Sequence, residues 1–241
     1  MEEASPCGEQ GRQTHSYRHL KEHATPPDES MELVITLPHG SSPTGDGERN
    51  SDEGALKILP YLEEALDELE VGFVSLVGTT NRDIIDLNRL RAYSHPYVQK
   101  VRKELLEAIV HVDLHSFPYV EQDEEENFLT STGYDLRVWS QSPVVFFNTP
   151  DVTNVDFLEH VQVAVGQVGM DVVEEVAGYE NYLSCMSNVL MDVPSIVIEV
   201  NEGETQDYPA LAGAIATGIL DFLNFYAPSP QDDELPPAAD A

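Results

Sequence analysis

Leu33-Val34-Ile35-Thr36-Leu37-Pro38-His39-Gly40 is a short apolar run that ends on a histidine. Val34, Ile35 and Thr36 are β-branched, and the five-residue run Leu33–Leu37 around them reads as a buried strand rather than a helix. Pro38 and Gly40 end it. The design recurs further along. Ala108-Ile109-Val110 leads into His111-Val112-Asp113-Leu114-His115-Ser116, and Ser195-Ile196-Val197-Ile198-Glu199-Val200 sets one carboxylate inside a β-branched run. Val71–Val77, Ile109–Leu114, Val144–Phe147 and Ile196–Val200 read as further strands.

Helical spacing fills the intervals. Ala55, Ile58, Leu59, Leu62, Ala65, Leu66 and Leu69 recur at helical period within Asp52–Leu69, with Ser51 as a fit N-cap. Pro96–Ala108, Val155–Val165, Asn181–Met191 and Tyr208–Phe225 read as helices. Strands alternating with helices predict an α/β fold of three layers, a mostly parallel mixed sheet flanked by helices. Ligands of such sheets bind beyond the carboxyl ends of the strands. His39 and His115 both stand there.

The 241 residues suit one sizeable domain, and 41% apolar residues can fill its core. We expect a single domain over 31–228. Residues 1–30 are polar and without hydrophobic period, and are expected to be a disordered extension, with Met31 as an alternative start. Residues 229–241, rich in Pro and acid, are expected to be a disordered tail. No signal peptide is expected at the N-terminus, and no apolar run reads as near the roughly 20 residues of a membrane helix, so the expected location is cytoplasmic. Cys7 and Cys185 make neither a disulfide framework nor a cysteine metal site. The acidic segment 119–142 is read either as a lid or hairpin over the site or as a solvated loop.

The charge is extreme. Forty-four acidic residues face twelve basic ones, for a net charge of −32. Only four of the cations are lysines, and beyond Lys103 only Arg137 remains. Such a chain repels nucleic acid and anionic membranes, so neither is an expected partner. The acid is spread along the chain. That pattern predicts a halophilic protein, because at molar salt the Debye length of about 3 Å screens self-repulsion.

A catalytic zinc takes three protein ligands from His and carboxylate and keeps one position open. His39 and His115, each followed by a small residue, are the candidate imidazoles. Asp52 and Glu53 are the candidate carboxylates, although acids opening a helix also serve its dipole. Asp113 shares a strand face with His115 and reads as orienting that histidine or the local backbone rather than as a metal ligand. His111 reads as a strand residue turned away from that pair.

Taken in series, Pro38-His39-Gly40, Asp52-Glu53-Gly54-Ala55, Arg82 to Arg89 ending in Asp86-Leu87-Asn88-Arg89, Asp113-Leu114-His115-Ser116 and Ile198-Glu199-Val200 resemble the N-formylglutamate amidohydrolase family. That family is related more distantly to the zinc carboxypeptidases of the M14 type. The resemblance covers about residues 33–203. It implies a zinc carboxypeptidase/phosphorylase-hydrolase-like fold and zinc held by His39, His115 and Asp52, with Glu53 as the rival. It implies that Asn88 and Arg89 grip a substrate carboxylate, that Arg82 polarises the scissile carbonyl, and that Glu199 is the general base. The implied substrate is a small carboxylated amide such as an N-acyl amino acid. The alternatives are a zinc carboxypeptidase, disfavoured because Ser42 replaces the glutamate expected three residues after the first histidine, and an inactive or binding relative. Against the latter, a buried carboxylate such as Glu199 costs several kcal/mol unless used or paired.

Overall fold

The computed structural model describes residues 32–40, 51–82, 84–121, 134–176 and 181–226. The 1–30 extension, the 229–241 tail, Ser42 and residues 122–133 of the acidic 119–142 segment lie outside them.

Six strands form one sheet: β1 (Leu33–Leu37), β2 (Phe73–Val77), β3 (Val110–Phe117), β4 (Val144–Phe147), β5 (Val172–Glu175) and β6 (Ser195–Asn201). Their order across the sheet is β2-β1-β3-β6-β4-β5. β2, β1, β3 and β6 run parallel, while β4 meets β6 antiparallel and β5 runs with β4. The sheet is therefore mixed and mostly parallel. Helices α1 (Glu53–Glu68), α4 (Val155–Gln167) and α6 (Tyr208–Tyr226) cover one face. On the other lie α2 (Pro96–Leu105) and the short α5 (Tyr182–Cys185), the latter continuing as one π-helical turn, Met186–Leu190. A single turn of helix, α3 (Leu136–Trp139), packs Trp139 against Phe117 and Phe147.

The two faces differ in chemistry, and this difference positions the site. Leu33, Ile35, Leu37, Val110, Val112, Leu114, Ile196, Ile198 and Val200 point to the α1/α4/α6 side and build the largest core. Side chains alternate along a strand, so the intervening residues point the other way. Those residues include Thr36 on β1, His111, Asp113 and His115 on β3, and Ser195 and Glu199 on β6. Register makes them neighbours: Thr36 stands opposite Asp113, His111 opposite Ser195, and His115 opposite Glu199. His111 thus shares its face with Asp113 and His115. The expectation that it turns away from them is corrected, since residues two and four apart on a strand point the same way.

Three elements depart from expectation. β5 and α3 were not anticipated, and the Asn181–Met191 helix ends in a π-turn. The helix α6 is 19 residues long and apolar enough by composition to cross a membrane, although half of that stretch is buried against α1 and α4. Ser51 is not the N-cap of α1; Asp52 occupies that position, without a capping bond from its side chain.

Candidate metal centre

Beyond β1 the chain turns through Pro38 and His39 and is described again at Ser51. Asp52 then returns to His39, its backbone N–H donating to the His39 carbonyl at 3.0 Å. The adjacent strand β3 delivers His115. His39, Asp52 and His115 thereby meet, with one ligand atom from each lying within 4.8 Å of the others. Asp52 Oδ2 is 3.2 Å from His39 Nδ1 and 2.9 Å from His115 Nδ1. The two imidazole centroids are 5.0 Å apart. All three side chains are buried. Glu53 is not part of this group. It lies on the exposed side of α1, 3.7 Å from Lys57, so of the two candidate carboxylates only Asp52 meets the histidines.

A second ring of carboxylates fixes the imidazoles. His39 Nε2 is 2.8 Å from Asp86 Oδ1, and His115 Nε2 is 3.2 Å from Asp113 Oδ2. A carboxylate only accepts, so Asp86 and Asp113 favour a proton on each Nε2, and Nδ1, the atom that faces Asp52, is the one placed to ligate a metal. The donor set of two Nδ1 atoms and one carboxylate oxygen fits a catalytic zinc with an open position. The local field fits a cation as well, because Asp52, Asp86 and Asp113 are all buried here. Burial alone would raise Asp52, but hydrogen bonds and charge from His115 and His39 take it well below the usual carboxylate range. Asp86 is lowered likewise, by His39, Arg89 and Arg82 against the effect of burial. Burial would depress His115, yet Asp113 and Asp52 raise it well above its ordinary value. A divalent ion bound there would take the place of that proton.

Two guanidiniums border the group. Arg82 Nη1 is 3.7 Å from Asp52 Oδ1, and Arg82 Nε is 3.6 Å from Asp86 Oδ2. Arg89 Nη2 is 3.6 Å from the same Asp86 oxygen, and Nη1 donates to the Asn88 carbonyl at 3.0 Å. With side chains 26% and 30% exposed, both can still reach a ligand from solvent. Glu199, beside His115 across the β3–β6 pair, is half-buried. Burial pushes its carboxyl up to about 8; Asp52 and Asp113 add to this, while His115 and Arg82 oppose it. It is a carboxyl poised to exchange a proton near neutrality.

Asn88 differs from expectation. It is fully buried, and its Nδ2 donates to Asp113 Oδ2 at 2.9 Å and to Asn181 Oδ1 at 3.2 Å, standing 2.9 Å from His115 Nε2. Its Oδ1 accepts from the Leu183 N–H at 2.9 Å. Every polar atom of the amide is engaged, so here Asn88 braces Asp113, and through it His115.

Asp86 was not singled out by sequence reasoning, although it lies in the quoted Asp86-Leu87-Asn88-Arg89. An acid immediately before a buried Leu is the only signal the chain offers. The clip that seats α1 was also missed. Ser116 Oγ donates to Glu202 Oε1 at 2.6 Å and accepts from the Gly54 N–H at 3.1 Å. A Cβ on Gly54 would stand 2.9 Å from Ser116 Cβ, so only glycine lets the Asp52 end of α1 sit this close to β3.

No family model and no curated protein matches the chain. Solved structures do. An N-formylglutamate amidohydrolase from Ralstonia eutropha JMP134 superposes with a TM-score of 0.50 at 15% identity, over 84% of this chain and 96% of its own. A gene product from Agrobacterium tumefaciens gives 0.52 at 11% identity, over 82% and 90%. A metallo-carboxypeptidase from Burkholderia cenocepacia gives 0.50 at 15% identity, over 85% of this chain and 60% of its own length. At such identities the likeness shows a shared fold, the one the sequence resemblance implied.

Proposed function

We propose that this protein is a zinc-dependent hydrolase that cleaves the amide bond of an N-acyl amino acid or a similar small carboxylated amide. One observation carries the reading: His39 Nδ1, His115 Nδ1 and an Asp52 oxygen converge beside Glu199 and two partly exposed arginines. The name of the Ralstonia structure supports the amide substrate.

His39, Asp52 and His115 would hold the ion, which when bound supplies Lewis acidity and a water acidified to near neutral pH. The other roles belong to the chain's own groups. Glu199, beside His115 across the β3–β6 pair, takes a proton from the attacking water and returns it to the leaving nitrogen. Arg82 lies against Asp52 and stabilises the oxyanion that forms on the carbonyl. Arg89 presents a planar fork to the substrate's carboxylate. Asp86 and Asp113 hold the two imidazoles in their metal-binding tautomer, and Asn88 holds Asp113.

Metal analysis of protein purified in high salt, with a screen of N-acyl amino acids, tests this. About one zinc per chain is expected, and His115→Ala should abolish it. Glu199→Gln should keep the zinc and lower turnover by ~10²–10⁴-fold. Zinc retained by a wild-type protein that turns over no N-acyl amino acid would return the binding-relative reading.

A further inference from the structure

Behind the candidate ligands runs a buried polar column that ends on Asp113 and whose other members, Thr36, His111 and Ser195, the reaction scheme does not use. Thr36, His111, Asp113 and Ser195 are all 0% exposed. Ser195 Oγ is 2.9 Å from His111 Nδ1, His111 Nε2 is 2.8 Å from Thr36 Oγ1, and Thr36 Oγ1 is 2.7 Å from Asp113 Oδ1. Asp113 in turn reaches His115 through its other oxygen. The column crosses three strands on one sheet face, from the start of β6 through β3 to β1, and back to β3.

Hydrogen-bond chemistry fixes its direction. A carboxylate cannot donate, so Thr36 gives its single hydroxyl proton to Asp113. Thr36 must then accept from His111, which places the His111 proton on Nε2. Burial keeps His111 neutral, down to a pKa of about 4, so its Nδ1 is bare and accepts from the Ser195 hydroxyl. Every proton from Ser195 to Asp113 thus has one allowed position. We propose that Ser195, His111 and Thr36 are positioning residues for the metal centre, aligning Asp113 so that it fixes the orientation and tautomer of His115. This rests on the metal-centre reading above.

Packing does not account for the column. A fully bonded buried polar group contributes little net stability, and apolar residues of the same shape can replace such sets at no loss. What apolar residues cannot do is hold a carboxylate in one rotamer against an imidazole. Asp113 receives Thr36 on Oδ1 and Asn88 on Oδ2, so both oxygens are anchored. Residues behind a metal ligand typically change metal affinity 10–100-fold when removed.

The test is Thr36→Val, which keeps the shape and deletes the hydroxyl. Zinc affinity is read by competition with a chromophoric chelator, beside the melting temperature of the metal-free protein. We expect affinity to fall ~10-fold or more in Thr36→Val and to return to within about threefold of wild type in Thr36→Ser. A packing role alone predicts the reverse: a lower metal-free melting temperature with zinc affinity unchanged, which overturns the proposal. If wild-type protein binds no zinc in the same titration, the metal-centre reading falls and this proposal with it. Should Thr36→Val fail to fold, imidazole ¹⁵N spectra of the unsubstituted protein decide: a neutral His111 protonated on Nε2 supports the column, and a proton on Nδ1 reverses its direction and overturns it.

Discussion

At the scale of single residues, the chain's apolar runs mark the strands, and His39 just beyond β1, His115 late in β3 and Glu199 within β6 stood out against them. What pairs with them was not. Asp86 faces His39, and Thr36 faces Asp113, only because the β1–β3 register and the loop after β2 put them there. Register is a property of two strands, and a single stretch of sequence does not carry it. His111 carries the clearest consequence. Burial lowers its pKa to about 4 from an unfolded value near 6.5, so the unfolded chain takes up a proton that the folded chain refuses. Its contribution is fully present above pH 6.5 and is lost as pH falls toward 4, a loss of roughly 3 kcal/mol. In the metal-free protein Glu199 has the opposite sign. Its raised carboxyl stabilises below about 4.5 and ceases to do so as pH rises toward 8. The two therefore offset each other in the wild type. In Glu199→Gln, unfolding by urea in molar salt should show stability falling by that amount between pH 6.5 and 4. A flat profile would mean His111 is protonated in the folded chain.

At the scale of elements, the helices with an unbroken apolar period were found within a few residues of their ends. Failures came where period and length stop informing. β5 has only four residues, Val172-Val173-Glu174-Glu175, at the sheet edge, none of them fully buried. The π-turn after α5 keeps an apolar pattern compatible with an ordinary helix, and its wider hydrogen bonding has no sequence mark. Packing between α4 and α6 was equally hidden, because it turns on a residue with no side chain. A Cβ on Gly218 would lie 2.5 Å from the Val161 Cα and 2.9 Å from the His160 carbonyl, so the two backbones touch there. Five positions earlier, Gly213 has nothing within 4 Å of where its Cβ would be. Gly218→Ala must push α4 and α6 apart, although their Phe157 and Phe222 rings stack 4.6 Å from each other, and should cost ~1–3 kcal/mol. Gly213→Ala should instead stabilise by ~0.4–1 kcal/mol, through the helix preference of alanine. Calorimetric melting of the two variants checks the pair. Equal shifts would mean that α6 does not pack through Gly218.

At the scale of the whole molecule, a charge of −32 surrounds a site read as binding an anion. Of the eight cations among the described residues, Arg82 and Arg89 are the pair at the candidate centre. These two demands conflict at low salt. Within a Debye length of ~10 Å at 0.1 M, a carboxylated substrate meets the field of the acidic surface before it meets the arginines. At molar salt the length shrinks to ~3 Å, and the surface field is screened while the partly buried contacts to Arg82 and Arg89 are screened much less. The same screening relieves the repulsion among the carboxylates themselves. Stability should therefore rise from ~0.1 M toward molar salt, seen as a rising melting temperature in sodium chloride. Over that range kcat/KM for a carboxylated amide should rise too, beyond any rise for its neutral, amidated counterpart. That ordering reverses the usual case, in which salt weakens capture of a charged ligand by an oppositely charged protein. A melting temperature that stays flat across the range would remove the halophilic reading. Equal salt dependence for the two substrates would show that the acidic surface does not steer what reaches the centre.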